Sequence, residues 1–175
     1  SIIKYGVLSR SQLQRIGEFS DIADPNIIKK RGELADYIPF HFHQRTAFDY
    51  VVIRNQGREK FIYLCVTRKY ARNNGFKILP QHPLATQVTR NDLMDYDAGF
   101  AAINWELMEC EYSDSNEVKQ VRMAECLTDK KIPFKDIFSI YYLSSIQKDM
   151  IEALLENNGI APSSLNINDW TNAQW

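Results

Sequence analysis

Several things are scarce in this 175-residue chain, and each scarcity removes a class of function. No apolar run approaches the roughly 20 residues that an α-helix needs to cross a bilayer, so no membrane partner is expected. The opening residues carry no signal-peptide pattern. Cysteine occurs only at Cys65, Cys110 and Cys126. An odd, widely spaced set builds no disulfide framework and reads as free, mostly buried thiols in a reducing cytoplasm. Lysine and arginine total 21 against 22 acidic residues, a formal charge of −1, so nothing draws the whole chain toward nucleic acid. A polyanion would have to find a local basic patch. There is no C-x-x-C, no H-E-x-x-H and no glycine-rich phosphate loop of the Rossmann or P-loop kind. Repeats, linkers and low-complexity segments are missing as well.

What is present points to one folded domain over residues 1–175. The apolar fraction is 45% and the aromatic fraction 12%, enough for a substantial core. Residues 1–6 read as the last turn of a helix closed by Gly6, which predicts that a few N-terminal residues are lacking. Residues 7–9 suggest a short strand, and 10–24 are polar with little periodicity. Asp24-Pro25 starts a short helix over 25–30 as cap and first-turn proline, with Gly32 as its stop. Strands are predicted over 37–42, 60–67, 76–79, 138–143 and 165–167, with 60–67 (KFIYLCVT) apolar enough for burial on both faces. Helical spacing marks 46–54, 69–73, 91–96, 104–111 and 146–157. In the last of these, Ile146, Met150, Ala153 and Leu154 form one apolar stripe. A polar loop is expected over 113–119, and 120–127 (QVRMAECL) alternates as a strand. Many short strands with few, short helices make the fold α+β.

The densest stretch runs from Asp36 to Thr46 and sets an alternating strand, two histidines and an arginine side by side. His41 and His43 share a strand face, and His82 or Cys65 could complete a zinc site; the plainer reading is one satisfied inner histidine and one at the rim. Cys–His nucleophilic catalysis lacks any local signature. Glu125 interrupts a strand built for burial. It is either a solvent-facing residue on an edge strand or a carboxylate held rigidly toward a cleft, with Arg31 and Arg45 available as cations. Lys29, Lys30 and Arg31 also suit a helix C-terminus, where cations complement the dipole.

Five segments in order then resemble one family. Asp36-Tyr37-Ile38-Pro39-Phe40-His41-Phe42-x-x-Arg45 is similar to the DYVPFYF-x-x-R of the DarT toxins of DarT–DarG toxin–antitoxin systems. Ile103-Asn104-Trp105 resembles their I/LDW segment, and Arg122-Met123-Ala124-Glu125-Cys126-Leu127 their K/R-x-AEFL strand. Ile132-Pro133-Phe134 is similar to FPW, and Asn168-Asp169-Trp170 to the closing DWY. The resemblance implies an ADP-ribosyltransferase-like fold, a bent, split β core with flanking short helices. It also implies transfer of ADP-ribose from NAD to a base of single-stranded DNA, without a metal. Glu125 and Arg31 (in Ile27-x-x-x-Arg31) match the catalytic pair. Tyr37, His41 and Arg45, with Arg31, are expected along the NAD cleft, and Arg45, His82 and Arg122 against DNA.

Two departures stand out. The family's histidine-bearing opening segment would precede Ser1, and His41 and Thr46-Ala47-Phe48-Asp49 replace a tyrosine and SPML near the substrate. The target base, thymine or guanine, therefore stays open. The expected partners are single-stranded DNA and a macrodomain-type antitoxin that removes the label, and the chain itself is expected to be a monomer. Two rivals remain: a transferase aimed at RNA or protein, and a catalytically silent nucleic-acid-binding module of the same fold.

Overall fold

A computed structural model describes residues 1–17, 25–44, 46–82, 88–110 and 115–172. In chain order the helices and strands are α1 (Ile2–Tyr5), α2 (Arg10–Ile16), α3 (Pro25–Arg31), β1 (Ile38–His41), α4 (Ala47–Gln56), β2 (Ile62–Cys65), α5 (Arg68–Asn73), β3 (Lys77–Leu79), β4 (Met94–Asp95), α6 (Tyr96–Ala102), α7 (Trp105–Glu109), α8 (Asn116–Arg122), β5 (Glu125–Thr128), β6 (Ser139–Tyr142), α9 (Ser145–Glu156) and β7 (Asn166–Asp169). They fall into two compact units, each assembled from separated stretches. One holds Val7–Thr46 and Arg68–Lys131; the other holds Ser1–Gly6, Ala47–Thr67 and Ile132–Trp175.

The first unit is built on a four-stranded antiparallel sheet of order β1-β5-β3-β4. β5 is an inner strand with all four of its residues buried. Its register sets Glu125 opposite His41 on one side and Leu79 on the other. Because side chains alternate across a strand, Glu125 and Leu127 share a face, while Cys126 turns to the other. Leu127 joins Leu34 and Leu79 in a core cluster on which Tyr37, Val88 and Leu93 pack. α6 lies close against β3: a Cβ on Gly99 would come 2.6 Å from the Ile78 Cβ, so only glycine allows this approach. Pro39 sits on β1, an edge strand, where its missing N–H leaves no gap in the ladder.

The second unit carries a three-stranded sheet of order β2-β6-β7, antiparallel at β2–β6 and parallel at β6–β7. Tyr63 and Tyr141, opposite one another, both pack on Trp170, with ring centroids 5.4 and 5.3 Å away. α9 follows β6 and is fixed by Gln147, which is buried. Its Oε1 accepts from the Leu143 and Ser144 N–H groups at 2.8 and 2.9 Å, and its Nε2 donates to the Phe61 carbonyl at 2.8 Å.

The α+β class expected from the sequence is what the chain adopts, in two sheets. Several local expectations are corrected. Residues 10–16 are helical, held by a capping box in which the Ser9 hydroxyl accepts from Gln12 N–H and Gln12 Oε1 accepts from Ser9 N–H. Residues 91–96 are a 3₁₀ turn capped by Thr89 and then β4, with the helix starting only at Tyr96. The expected polar loop is mostly α8, whose Val118 and Val121 are buried, and the following strand begins at Glu125 rather than at 120. β2 is an edge strand, and Ile62 remains 37% exposed. The apolar stripe of α9 faces outward: Ile146, Met150 and Leu154 are 64%, 65% and 50% exposed, because Gln147 and Leu155 occupy the inner face.

Candidate active site

The helix α3 ends in three cations, and the last of them leaves the surface. Arg31 reaches β5 and donates from both terminal nitrogens to Glu125, at 2.6 Å to Oε1 and 2.9 Å to Oε2. Glu125 is 2% exposed and the Arg31 side chain 13%. A carboxylate this deep is tolerable only because a bidentate guanidinium neutralises it. Of the two readings of Glu125, the edge-strand one fails: the residue starts an inner strand and faces a cation. Lys29 and Lys30, by contrast, stay exposed at the helix C-terminus.

Two histidines complete this group. His41 lies across the ladder from Glu125, and its Nδ1 is 3.3 Å from the carbonyl oxygen of Ala124. His82 follows β3, with its backbone N–H bonded to the Gln120 carbonyl at 2.9 Å. Burial pushes the His82 imidazole below the usual histidine range; the Glu125 charge works the other way, while His41 and Arg31 reinforce the depression. Arg31, Glu125, His41 and His82 are thus one electrostatic neighbourhood assembled from a helix end, two paired strands and a loop.

The other expected site residues lie elsewhere. Tyr37, at the opposite end of β1 from His41, packs on the Leu34–Leu79–Leu127 cluster, with the Arg90 guanidinium over its ring. Arg122 donates to the Cys110 carbonyl. Arg45 and the helix-cap residue Asp24 lie outside the described residues, as does the start of the loop expected over 113–119. β1 stops at His41, so His43 is not on the strand with it. Among the described residues no group of three or more histidine, cysteine or acidic side chains is arranged to hold a metal ion. Burial pushes the Cys126 thiol up to about 12, which leaves it protonated and inert as a nucleophile.

Two features have no local signal in the sequence. One is the Ala124 carbonyl as partner of His41. The other is an aromatic group in which Arg68 lies over the rings of Phe100 and Trp105, 5.4 and 5.0 Å from their centroids, with Phe42 edge-on to both. The tryptophan was visible within its motif, but its partners come from three elements and share no local spacing.

Comparison with known proteins bears on this geometry. The model of the family described as DarT, ssDNA thymidine ADP-ribosyltransferase, matches residues 1–174. Among solved structures the fold is similar to Thermus sp. 2.9 DarT in complex with ADP-ribosylated ssDNA, with TM-score 0.79 at 18% identity over 97% of this chain and 87% of that one. The same Thermus protein in complex with NAD+ matches with TM-score 0.69 at 19% identity, over 81% and 74%. Thermosipho africanus DarTG in complex with ADP-ribose matches with TM-score 0.76 at 16% identity, over 91% of this chain and 45% of that one. No curated protein sequence matches the chain. The family model spans almost every residue, and the chain therefore belongs to the DarT family, described as ssDNA thymidine ADP-ribosyltransferases.

Proposed function

We propose that the Arg31–Glu125 pair is the catalytic centre of the NAD-dependent ADP-ribosylation of single-stranded DNA that this family performs, and that thymine is the base modified. The observation that carries the assignment is the pair itself. A buried carboxylate whose cationic partner among the described residues is Arg31 is poised to exchange that partner for a substrate hydroxyl, and the cation it releases is then available to an anion. NAD is consumed as the ADP-ribose donor, and breaking its glycosidic bond develops positive charge at the ribose carbon. Glu125 would accept a hydrogen bond from a ribose hydroxyl and oppose that charge. Arg31 would balance the pyrophosphate, and His41 and His82 would line the approach of the base. A base inside a duplex is shielded by its stack and its pair, so an unpaired strand is the substrate this chemistry needs.

Tyr37 and Arg45 remain proposed contacts to NAD, and Arg45 and Arg122 to DNA; Arg122 would have to leave the Cys110 carbonyl to reach it. The repeated passage of the chain between its two compact units supports treating residues 1–175 as one catalytic domain. The likeness to a DarTG protein supports a DarG partner, which we read as a macrodomain-type antitoxin that removes the label in the cytoplasm. Among the described residues no helix is long and apolar enough to cross a membrane.

The test is a panel of short oligonucleotides, each containing one kind of base, incubated with NAD and read by mass spectrometry. One ADP-ribosyl increment on the thymine strand supports the reading. A label on guanine alone moves the specificity, and a label only on RNA or protein rejects the DNA assignment.

A further inference from the structure

We propose that His41 is the proton acceptor for the attacking base, a role that rests on the transfer reaction proposed above and adds a residue to it. A carbonyl oxygen can only accept, so the contact between His41 Nδ1 and the Ala124 carbonyl at 3.3 Å requires the proton to be on Nδ1. In the neutral ring that leaves Nε2 with an open lone pair. Nε2 has no hydrogen-bond partner among the described residues, whereas Glu125 is taken up by Arg31 and, in the reaction proposed above, by the ribose hydroxyl. His82 differs, being bonded through its backbone to Gln120 and depressed by its own burial. The residue with an open acceptor beside the catalytic carboxylate is therefore His41, fixed to it by ladder register.

This arrangement fits a base with a ring N–H. Thymine has one, as does guanine; adenine and cytosine present only lone pairs at their ring nitrogens and would face His41 acceptor to acceptor. In the transfer step the ring N–H proton passes to His41 Nε2. The freed electron pair of that nitrogen forms the bond to the ribose carbon, and the bond from that carbon to nicotinamide breaks with its pair leaving on nicotinamide. The imidazolium so formed still donates through Nδ1 to the Ala124 carbonyl, and ladder register keeps His41 across from Glu125. Holding the tautomer by a backbone carbonyl is how an imidazole is kept ready to act as a base.

Two measurements test this. The first is the histidine tautomer in the NAD-free protein, read from two-bond ¹⁵N–¹H correlations, with the His41→Asn spectrum assigning the signal. Protonation at Nδ1 is expected, and an Nε2–H tautomer would overturn the proposal. The second is single-turnover transfer to a thymine oligonucleotide, alongside NAD affinity by calorimetry. His41→Asn replaces Nδ1–H with an amide N–H that can keep the Ala124 bond, and removes Nε2. Transfer is expected to fall by on the order of 10²-fold, with NAD affinity and melting temperature held. Wild-type transfer in His41→Asn, or a loss explained wholly by weaker NAD binding, would sink the role. His41→Gln supplies a second variant if the first does not fold. If the wild-type protein labels no DNA at all, the reaction assignment is at fault, and the tautomer result stands apart from it.

Discussion

β5 and β2 make an instructive pair. β2 comes from the most apolar run in the chain, yet it is an edge strand whose first residue, Ile62, is 37% exposed. β5 opens with a charged residue, yet it is an inner strand buried along its whole length. Burial here follows position in the sheet, and the neutralising Arg31 lets a carboxylate take a buried place. The apolar run marks a strand, but the charged residue in the wrong place marks the candidate site.

The largest effect should come from removing that arginine. Arg31→Ala leaves Glu125 buried without the cation that pairs with it and should cost about 3–5 kcal/mol in urea unfolding, together with transfer activity. A loss below about 1 kcal/mol would mean the pair opens readily to water. Next, Leu127→Ala on β5 should cost about 2–5 kcal/mol, and Ile62→Ala on β2 about 1 kcal/mol or less. Equal costs would erase the distinction between the two strands.

A weaker effect should appear with pH. His82 is depressed in the folded state, so the unfolded chain binds the proton more readily. Its contribution is held above the ordinary histidine value of 6.5 and declines as pH falls through that value toward the lower folded one. Unfolding midpoints of wild type and His82→Gln measured on both sides of that value should differ in slope, the wild type losing more on the acid side. Least of all, Met150→Ala on the exposed ridge of α9 should change stability by no more than about 0.5 kcal/mol.

Much of the candidate site could be read from sequence, because Glu125 breaks an apolar pattern and Arg31 ends a helix whose start is marked by Pro25. The pairing between them spans 94 residues, which no local pattern encodes. Where local structure departs from the expectation, capping residues carry the signal. Ser9 with Gln12 and Thr89 with Asp92 are boxes three residues apart, and Ser115 precedes a helix whose Val118 and Val121 share one buried face. The outward stripe of α9 departs from the expectation for a different reason. Its apolar residues do share one face, but the inner face is set by Gln147, a polar side chain satisfied by three backbone groups.

The most direct test compares wild type with Glu125→Gln on a thymine-bearing single strand with NAD, after circular dichroism has shown both to be folded. Glutamine keeps the shape and removes the charge that would oppose the developing ribose cation. The account predicts one ADP-ribosyl increment for wild type and a loss on the order of 10²-fold or more for Glu125→Gln. Transfer at the wild-type rate by Glu125→Gln would contradict it.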